Sequence, residues 1–590
     1  MKKIVIAILI AFSFSSCDEF LEREQFDKVS SQGFFKTEND LLLYSNSFLE
    51  QLMPGYEELA YGDRTCDNIS SDRLESFLSG GWTADQQGGW SVTQWGYLRN
   101  INYFLDNMVT ANAEEKIMKH YEGVGRFWRA WFYFDMVRTF GDVPYYDHEV
   151  PSDNEADLYK ARDSREFIME KVLEDLTFAA ENCLAESKYV ASSNLINKWV
   201  ALAFKSRVCL FEGTYRKYHT ELNLTGSAQA FLNEAASAAE ELMNGGVYSL
   251  IHSTSKIQTQ YRSLFTSGSL QTKEVILGVG YATGLKEHFV TKNYYNLTAV
   301  GDHWGISKDF VNTYLMLDGS RFTEKPGYET VLFKDEFVNR DYRLKQTIRH
   351  PGYKRTVSNV NNVAVAPNPQ SSATCYQFIK WSLDNDYYDS YSADYDLPFM
   401  RYAEVLLNYA EAKAEMGQCD EAVWNKTIKL LRERAGVNGA VPASYDPYLA
   451  NYYMNQTTDK WILEIRRERG IELIMENRRY DDLMRWKLGG MLLKPWTGIY
   501  VPAVNTLMDL DNDGNPDFYA STTTIPDKDK LNDVVYITPG EGSYLGLTNG
   551  NSGYIMVENQ RVWEDKFYLK PIPRSAIVVN PNLVQNNGWE

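Results

Sequence analysis

Ala403, Leu406, Ala410 and Ala414 recur at three- and four-residue steps between Arg401 and Met416, and a Gly417-containing turn separates this stretch from a second helical one, Glu421 to Arg434. Small residues along one helical face let another helix approach closely, as in paired-helix repeats. The same logic covers Ala201, Lys205, Val208 and Cys209 within Lys198 to Phe211, with Gly213 closing that helix. Periodicity predicts further helices at Val92 to Met108, Ala113 to Phe140, Arg165 to Cys183 and Ala228 to Met243. Thr37 followed by Asp40 makes a capping-box-like start for a helix through Leu41, Tyr44, Phe48 and Leu52. Strand signals are few, Glu274 to Val279 among them. The chain therefore reads as mainly α, a scaffold of tetratricopeptide-like helical pairs with degraded consensus, about four of them at ~34 residues each. Two long irregular stretches interrupt it, Ser249 to Pro398 and Gly489 to Trp563, and loops of that length inside a helical body are usually functional.

The first residues carry an address. Lys2 and Lys3 precede an apolar run from Ile4 to Phe14 that ends at Ser15, Ser16 and Cys17. Such a run is too short to span the ~30 Å hydrocarbon core and describes an export peptide of lipoprotein type. Residues 1–16 are expected to be removed, leaving Cys17 as a lipidated N-terminus, since persistent anchoring takes more than one acyl chain. Loss of the two lysines moves the net charge from −19 to −21, which argues against nucleic acid or anionic lipid as a partner. Membrane holding then falls to the lipid anchor. The remaining cysteines, Cys66, Cys183, Cys209, Cys375 and Cys419, lack metal-ligand spacing and read as small core fillers, with one disulfide left open.

Four segments carry a resemblance. The first is Arg129, Ala130, Tyr133, Phe134, Val137, Phe140, Gly141, Asp142, Val143 and Pro144; the second runs from Arg401 to Ala412. The third comprises Glu468, Arg469, Glu472, Leu473, Glu476, Asn477, Arg479, Asp482, Leu483, Arg485 and Trp486. The last is Tyr568, Leu569, Pro571, Ile572 and Pro573, followed by Asn580, Pro581, Asn582, Leu583 and Gln585. In this order, along nearly the whole length, the chain resembles the SusD/RagB outer-membrane nutrient-binding lipoproteins. Asp18 and Glu19, directly after Cys17, resemble the signal by which such lipoproteins reach the outer face of the outer membrane. The resemblance implies a helical scaffold docked on a SusC-like TonB-dependent barrel, with loops that capture the nutrient. It implies a lipidated arm over 17–36, an N-terminal part over 37–300 with helices and ligand loops, and a C-terminal part over 301–590. That last part holds further helices at about 399–486 and the irregular region 489–563.

Glu472 and Glu476 raise the possibility of an enzyme, since carboxyls one turn apart would lie about 5 to 6 Å from each other, near a retaining glycosidase spacing. Opposite charges at i,i+3, from Arg469 to Glu472, Glu476 to Arg479, Arg479 to Asp482 and Asp482 to Arg485, argue for ionised carboxylates, whereas a general acid needs burial that raises its pKa. Seven histidines and the absence of HExxH, GxSxG or phosphate-loop patterns supply no better constellation. Binding without catalysis and without a required cofactor is the expectation.

Aromatic residues carry the binding reading, since sugars present flat C–H faces that stack on exposed Trp or Tyr while Asp, Asn or Arg meet the hydroxyls. Trp82, in a polar loop with Asp85, is one candidate; Tyr294, Tyr295 and Trp304, with Asp302, form a second cluster expected to share its exposed face. Trp90 and Trp95 read as core. In the second irregular stretch Asp509, Asp511, Asp513 and Asp517 have the order of a Ca²⁺ loop with Gly514 at the turn, though Ala520 stands where an EF-hand places its bidentate Glu. A structural Ca²⁺ is the one ion expected. Function divides between surface glycan capture for uptake, capture of peptides by the same fold, and a structural or adhesive lipoprotein; aromatic platforms with polar partners favour glycans.

Overall fold

The computed structural model describes residues 34–64, 66–85, 88–186, 188, 193–295, 303–540 and 543–589. The leader, Cys17 and Asp302 lie outside these residues, and of Tyr295 only the backbone is described.

Helices dominate the first half. α1 (Glu38–Leu52) starts as its sequence demands: the Asp40 amide donates to Thr37 Oγ1 and the Thr37 amide to Asp40 Oδ2 at 2.8 Å. α2 (Val92–Asn107), α3 (Glu115–Phe140), α4 (Arg165–Asn182), α5 (Lys198–Tyr218) and α6 (Thr225–Asn244) follow, with α3 packed on α4 and α5 on α6 as antiparallel-type pairs. α7 (Tyr402–Glu415) lies on α6 and on α8 (Lys460–Glu472), and α9 (Arg479–Arg485) packs on α5. Gly213 does not close α5. It sits inside the helix, where a Cβ would come within 2.8 Å of Leu232 Cγ, so glycine is there to let α6 approach. Glu421 to Arg434 divides into two short helices, Glu421–Asn425 and Ile428–Arg434.

Three of the four family-like segments lie at structural joints. Gly141, at φ +75°, turns the chain out of α3, and the Asp142 carboxylate then accepts from the Arg165 amide at 2.7 Å, capping α4. Val275–Val279 (β1) pairs antiparallel with Leu397–Arg401 (β2), so the long middle segment leaves and re-enters the scaffold at one place. Near the C-terminus the Gln585 side-chain amide bonds both ways with Ile572, each at 2.8 Å. The second irregular stretch folds into two three-stranded sheets, one of Thr497–Val501, Gly553–Val557 and Leu545–Leu547, the other of Leu507–Met508, Phe518–Ala520 and Val535–Ile537. One contiguous apolar core runs from Phe35 to Leu583. The five described cysteines are free thiols, four of them buried, which leaves no disulfide among them. Among the described residues no helix is long and apolar enough to cross a membrane.

Candidate functional site

Glu472 and Glu476 do not share a helix, because α8 ends at Glu472. Glu472 is wholly buried and takes bonds from Arg343 and Arg401, each at 3.0 Å, and from Arg434. Burial alone would raise its pKa; the guanidinium groups of Arg434, Arg401 and Arg343 hold it far below the carboxylate range. Glu476 accepts from Lys380 and Arg401, both at 2.7 Å. Neither the local partner Arg469, which binds Asp482 at 2.8 Å, nor Arg479, which binds Asp67 at 2.7 Å, performs the pairing read from i,i+3 spacing; of the four pairs, Asp482 with Arg485 forms, at 2.8 Å. For Glu472 the ionised state was legible and its cause was not: Arg343, Arg401 and Arg434, distant in sequence, hold it in a form unsuited to a general acid.

The aromatic expectations need correction. Trp304 and Tyr294 are each only 1% exposed. Trp304 stacks on Tyr61, and the Tyr294 hydroxyl donates to the Ala60 carbonyl at 2.5 Å, so both belong to the core and present no face to a ligand. Trp82 is half-buried among Phe77, Phe567 and Trp589, with ring centres 5.0, 5.9 and 6.2 Å away. Its ring neighbours and those of Trp304 have no member in common, which ends the shared platform. Asp85 is exposed, 3.5 Å from Arg574 Nε. Trp90 and Trp95 are half-buried and pack edge to face, with Trp95 also against Phe132, in keeping with a structural role.

The structure brings forward two residues that sequence reasoning missed. Tyr387 and Tyr391 are 55% and 57% exposed, the most exposed tyrosines described, and their rings stack 4.5 Å apart at 19°. Each ring covers part of one face of the other, and both side chains remain more than half exposed. Tyr388 stands edge-on to Tyr387 at 5.2 Å. Acidic side chains around the loop hold this ledge still. The Asn385 side chain caps Asp386–Asp389 through the Tyr387 amide at 3.0 Å, and Asp389 takes both ends of the Arg355 guanidinium at 2.7 and 2.8 Å. Asp386 accepts from the Ser358 amide at 2.7 Å, and Asp384 from Arg262 Nη1 at 2.8 Å. On the other side the short helix Val290–Tyr295 packs against the loop, Thr291 Oγ1 accepting from the Leu383 amide at 3.0 Å. A loop so braced keeps its rings in place before a ligand arrives, which spares ordering entropy on binding. The signal was the run Asn385 to Asp396, in which tyrosines alternate with Asp, Asn and Ser instead of apolar partners.

Asp509, Asp511 and Asp517 converge, one carboxylate oxygen from each lying within 4.8 Å of the others. Ca²⁺ binds oxygen at about 2.3–2.6 Å, so oxygens on opposite sides of an ion lie about 5 Å apart and the cluster fits one. Asp513 does not join: its carboxylate accepts from the Asn515 amide at 2.7 Å, which lowers its pKa. Burial, then the Asp511 charge, pushes Asp517 up to about 6, and burial also raises Asp511. Gly514 at φ +92° and Asn512 at φ +65° make the turn, and Lys334 Nζ stands 3.6 Å from Asp509.

Comparison with known proteins agrees with this architecture. Residues 273–589 match the family model described as the SusD family, and residues 70–210 match one described as starch-binding associating with outer membrane. A SusD-like protein of Formosa agariphila is 23% identical over 543 residues, 84% of this chain and 94% of that protein. The crystal structure of a SusD-like carbohydrate binding protein of Bacteroides fragilis superposes with a TM-score of 0.68 at 21% identity, covering 93% of this chain and 100% of that one. A second SusD-like protein from the same organism gives 0.67 at 21% identity, over 94% and 98%.

Proposed function

The chain belongs to the SusD family, and from that premise we propose that it is a surface lipoprotein that captures a glycan and delivers it to a partner TonB-dependent outer-membrane barrel. The observation that carries the glycan part is the exposed, braced Tyr387–Tyr391 stack. A pyranose laid on the exposed part of either ring buries its C–H surface, and the polar residues flanking the loop meet its hydroxyls. The leader ending at Cys17, the acidic pair after it and the family description, associating with outer membrane, support lipid anchoring at the cell exterior. Glu472 and Glu476, locked by arginines, favour binding without catalysis, and no cofactor is required. The Asp509, Asp511 and Asp517 cluster is proposed to hold a structural Ca²⁺ that stiffens its loop, through one carboxylate oxygen from each residue. Extraction of native membranes in mild detergent, followed by size separation on polysaccharide-containing gels, tests capture and delivery together. The expected result is comigration with a large barrel and retardation by a polysaccharide. Migration of the lipoprotein alone, unretarded by any polysaccharide of host, plant or microbial origin, would contradict it.

A further inference from the structure

A cavity of about 700 Å³ opens between α3, α5, β2 and the segment leading into α9. One wall is aromatic, built from Trp131, Phe134, Phe204 and Phe399. The other is charged, and most of its ions are paired: Arg138 with Asp135 and Asp481, both at 2.6 Å, and Arg64 with Glu75 at 3.3 Å. Arg207 faces the same space but is satisfied by Glu404 at 2.6 and 2.7 Å.

Two cations on this wall are left over. The Arg478 side chain is 93% buried by its 7% exposure, and its Nη2 has no hydrogen-bond partner among the described residues. Among the described residues no carboxylate lies within ion-pair distance of it; its guanidinium rests 4.8 Å over the Phe399 ring, which also carries Arg207 at 4.7 Å. Lys570, half-buried, likewise makes no ion pair among the described residues and lies 5.5 Å over the Trp82 ring. A buried guanidinium without an acceptor is costly, and such groups are retained where something supplies the acceptor. Burial and the neighbouring Arg207 bring Arg478 down to about 10, which leaves it charged at neutral pH.

We infer that this cavity binds a carboxylate-bearing saccharide unit, its carboxylate on Arg478 and Lys570 and its ring against the aromatic wall. Two spare positive charges call for an anion, but Glu58, Glu75, Asp135 and Asp481 in the same lining would repel a bare one. The same carboxylates accept protons from hydroxyl groups, so the lining matches an anion that also carries hydroxyls, as a uronic acid does. A volume of this size is typical of small-molecule sites, and Glu58 and Gly88 at its mouth are exposed, giving a way in. The saccharide part of the inference rests on the glycan reading above; the anion part rests on the unpartnered arginine.

Calorimetry on the full mature chain with digalacturonate, and with neutral galactobiose as the matched control, tests it. Digalacturonate should bind at least tenfold more tightly than galactobiose, and Arg478→Gln and Lys570→Gln should each remove most of that preference. The melting temperature of Arg478→Gln should hold or rise, because an unpaired buried charge is removed; a merely structural arginine would lower it. Equal affinity for the two disaccharides, or an Arg478→Gln variant with unchanged preference, would overturn the inference. Sulfate competing as well as digalacturonate would overturn its saccharide part. Neutral glycan bound at the tyrosine ledge with no digalacturonate bound would overturn this inference and leave the glycan reading intact, while the opposite pattern would uphold the cavity and contradict the ledge.

Discussion

Trp304 lies face to face with Tyr61, ring centres 4.8 Å apart and planes inclined by 29°, with the tryptophan only 1% exposed. That contact makes Trp304 a pillar between the first helical layer and the long middle segment. Trp304→Ala should cost about 3–5 kcal/mol of stability, the range for a buried tryptophan, and should leave glycan affinity in the surviving folded protein unchanged. Chemical denaturation beside calorimetry checks this; a variant of normal stability that has lost binding would return Trp304 to the ligand site.

Glu472 joins three arginines from three different segments, so its neutralisation leaves several buried charges unmatched. Glu472→Gln should destabilise by about 3–5 kcal/mol, as breaking a buried ion pair does. Equilibrium unfolding measures it, and a change below ~1 kcal/mol would mean that the arginines find other acceptors.

Much of the scaffold was legible because it obeys local rules. The capping box at Thr37 and Asp40, the Ala face of α7 and the Gly141 stop are each written in a few adjacent residues. The misreadings came from contacts between distant residues. Gly213 resembles a helix stop until Leu232 of the neighbouring helix is seen against it. Trp304, flanked by polar residues, resembled a loop platform; its burial depends on Tyr61, more than two hundred positions away. Tyr387 and Tyr391 drew no attention because four-residue spacing in a short tyrosine-rich run does not reveal that both rings point outward. Arg478 is visible in the sequence, but the absence of its partner is not.

Lipidation gives a cellular prediction. Cys17→Ala should move the protein from the outer-membrane fraction to a soluble one, because the acyl chains on Cys17 are the proposed anchor. Protease treatment of intact cells should cut the wild-type protein. Resistance on whole cells with cleavage only after lysis would contradict surface display.

The acidic loop predicts a pH-dependent metal response. Ca²⁺ should raise the melting temperature of the wild type and not of Asp511→Asn. Asp517 titrates near 6 in the folded chain, above its ordinary value of 3.8, because burial and the Asp511 charge oppose its ionisation. The metal binds the ionised form, so Ca²⁺ stabilisation should be full above pH ~7 and fade as pH falls through about 6. A Ca²⁺ response absent at pH 7.5, or identical in Asp511→Asn, would rule the cluster out as a Ca²⁺ site.

The central claim is that a braced tyrosine stack captures a glycan, and calorimetry of the wild type against the Tyr387→Ala, Tyr391→Ala double variant tests it most directly. The titrants are the polysaccharides that retard the wild-type protein. Both rings are more than half exposed, so the double variant should melt within about 1–2 °C of wild type, since exposed substitutions change stability little. Its binding should weaken by about 1–3 kcal/mol per lost stacking contact, a loss of about fivefold to 150-fold in affinity for each. A double variant that melts normally and binds every polysaccharide with wild-type affinity would contradict the account.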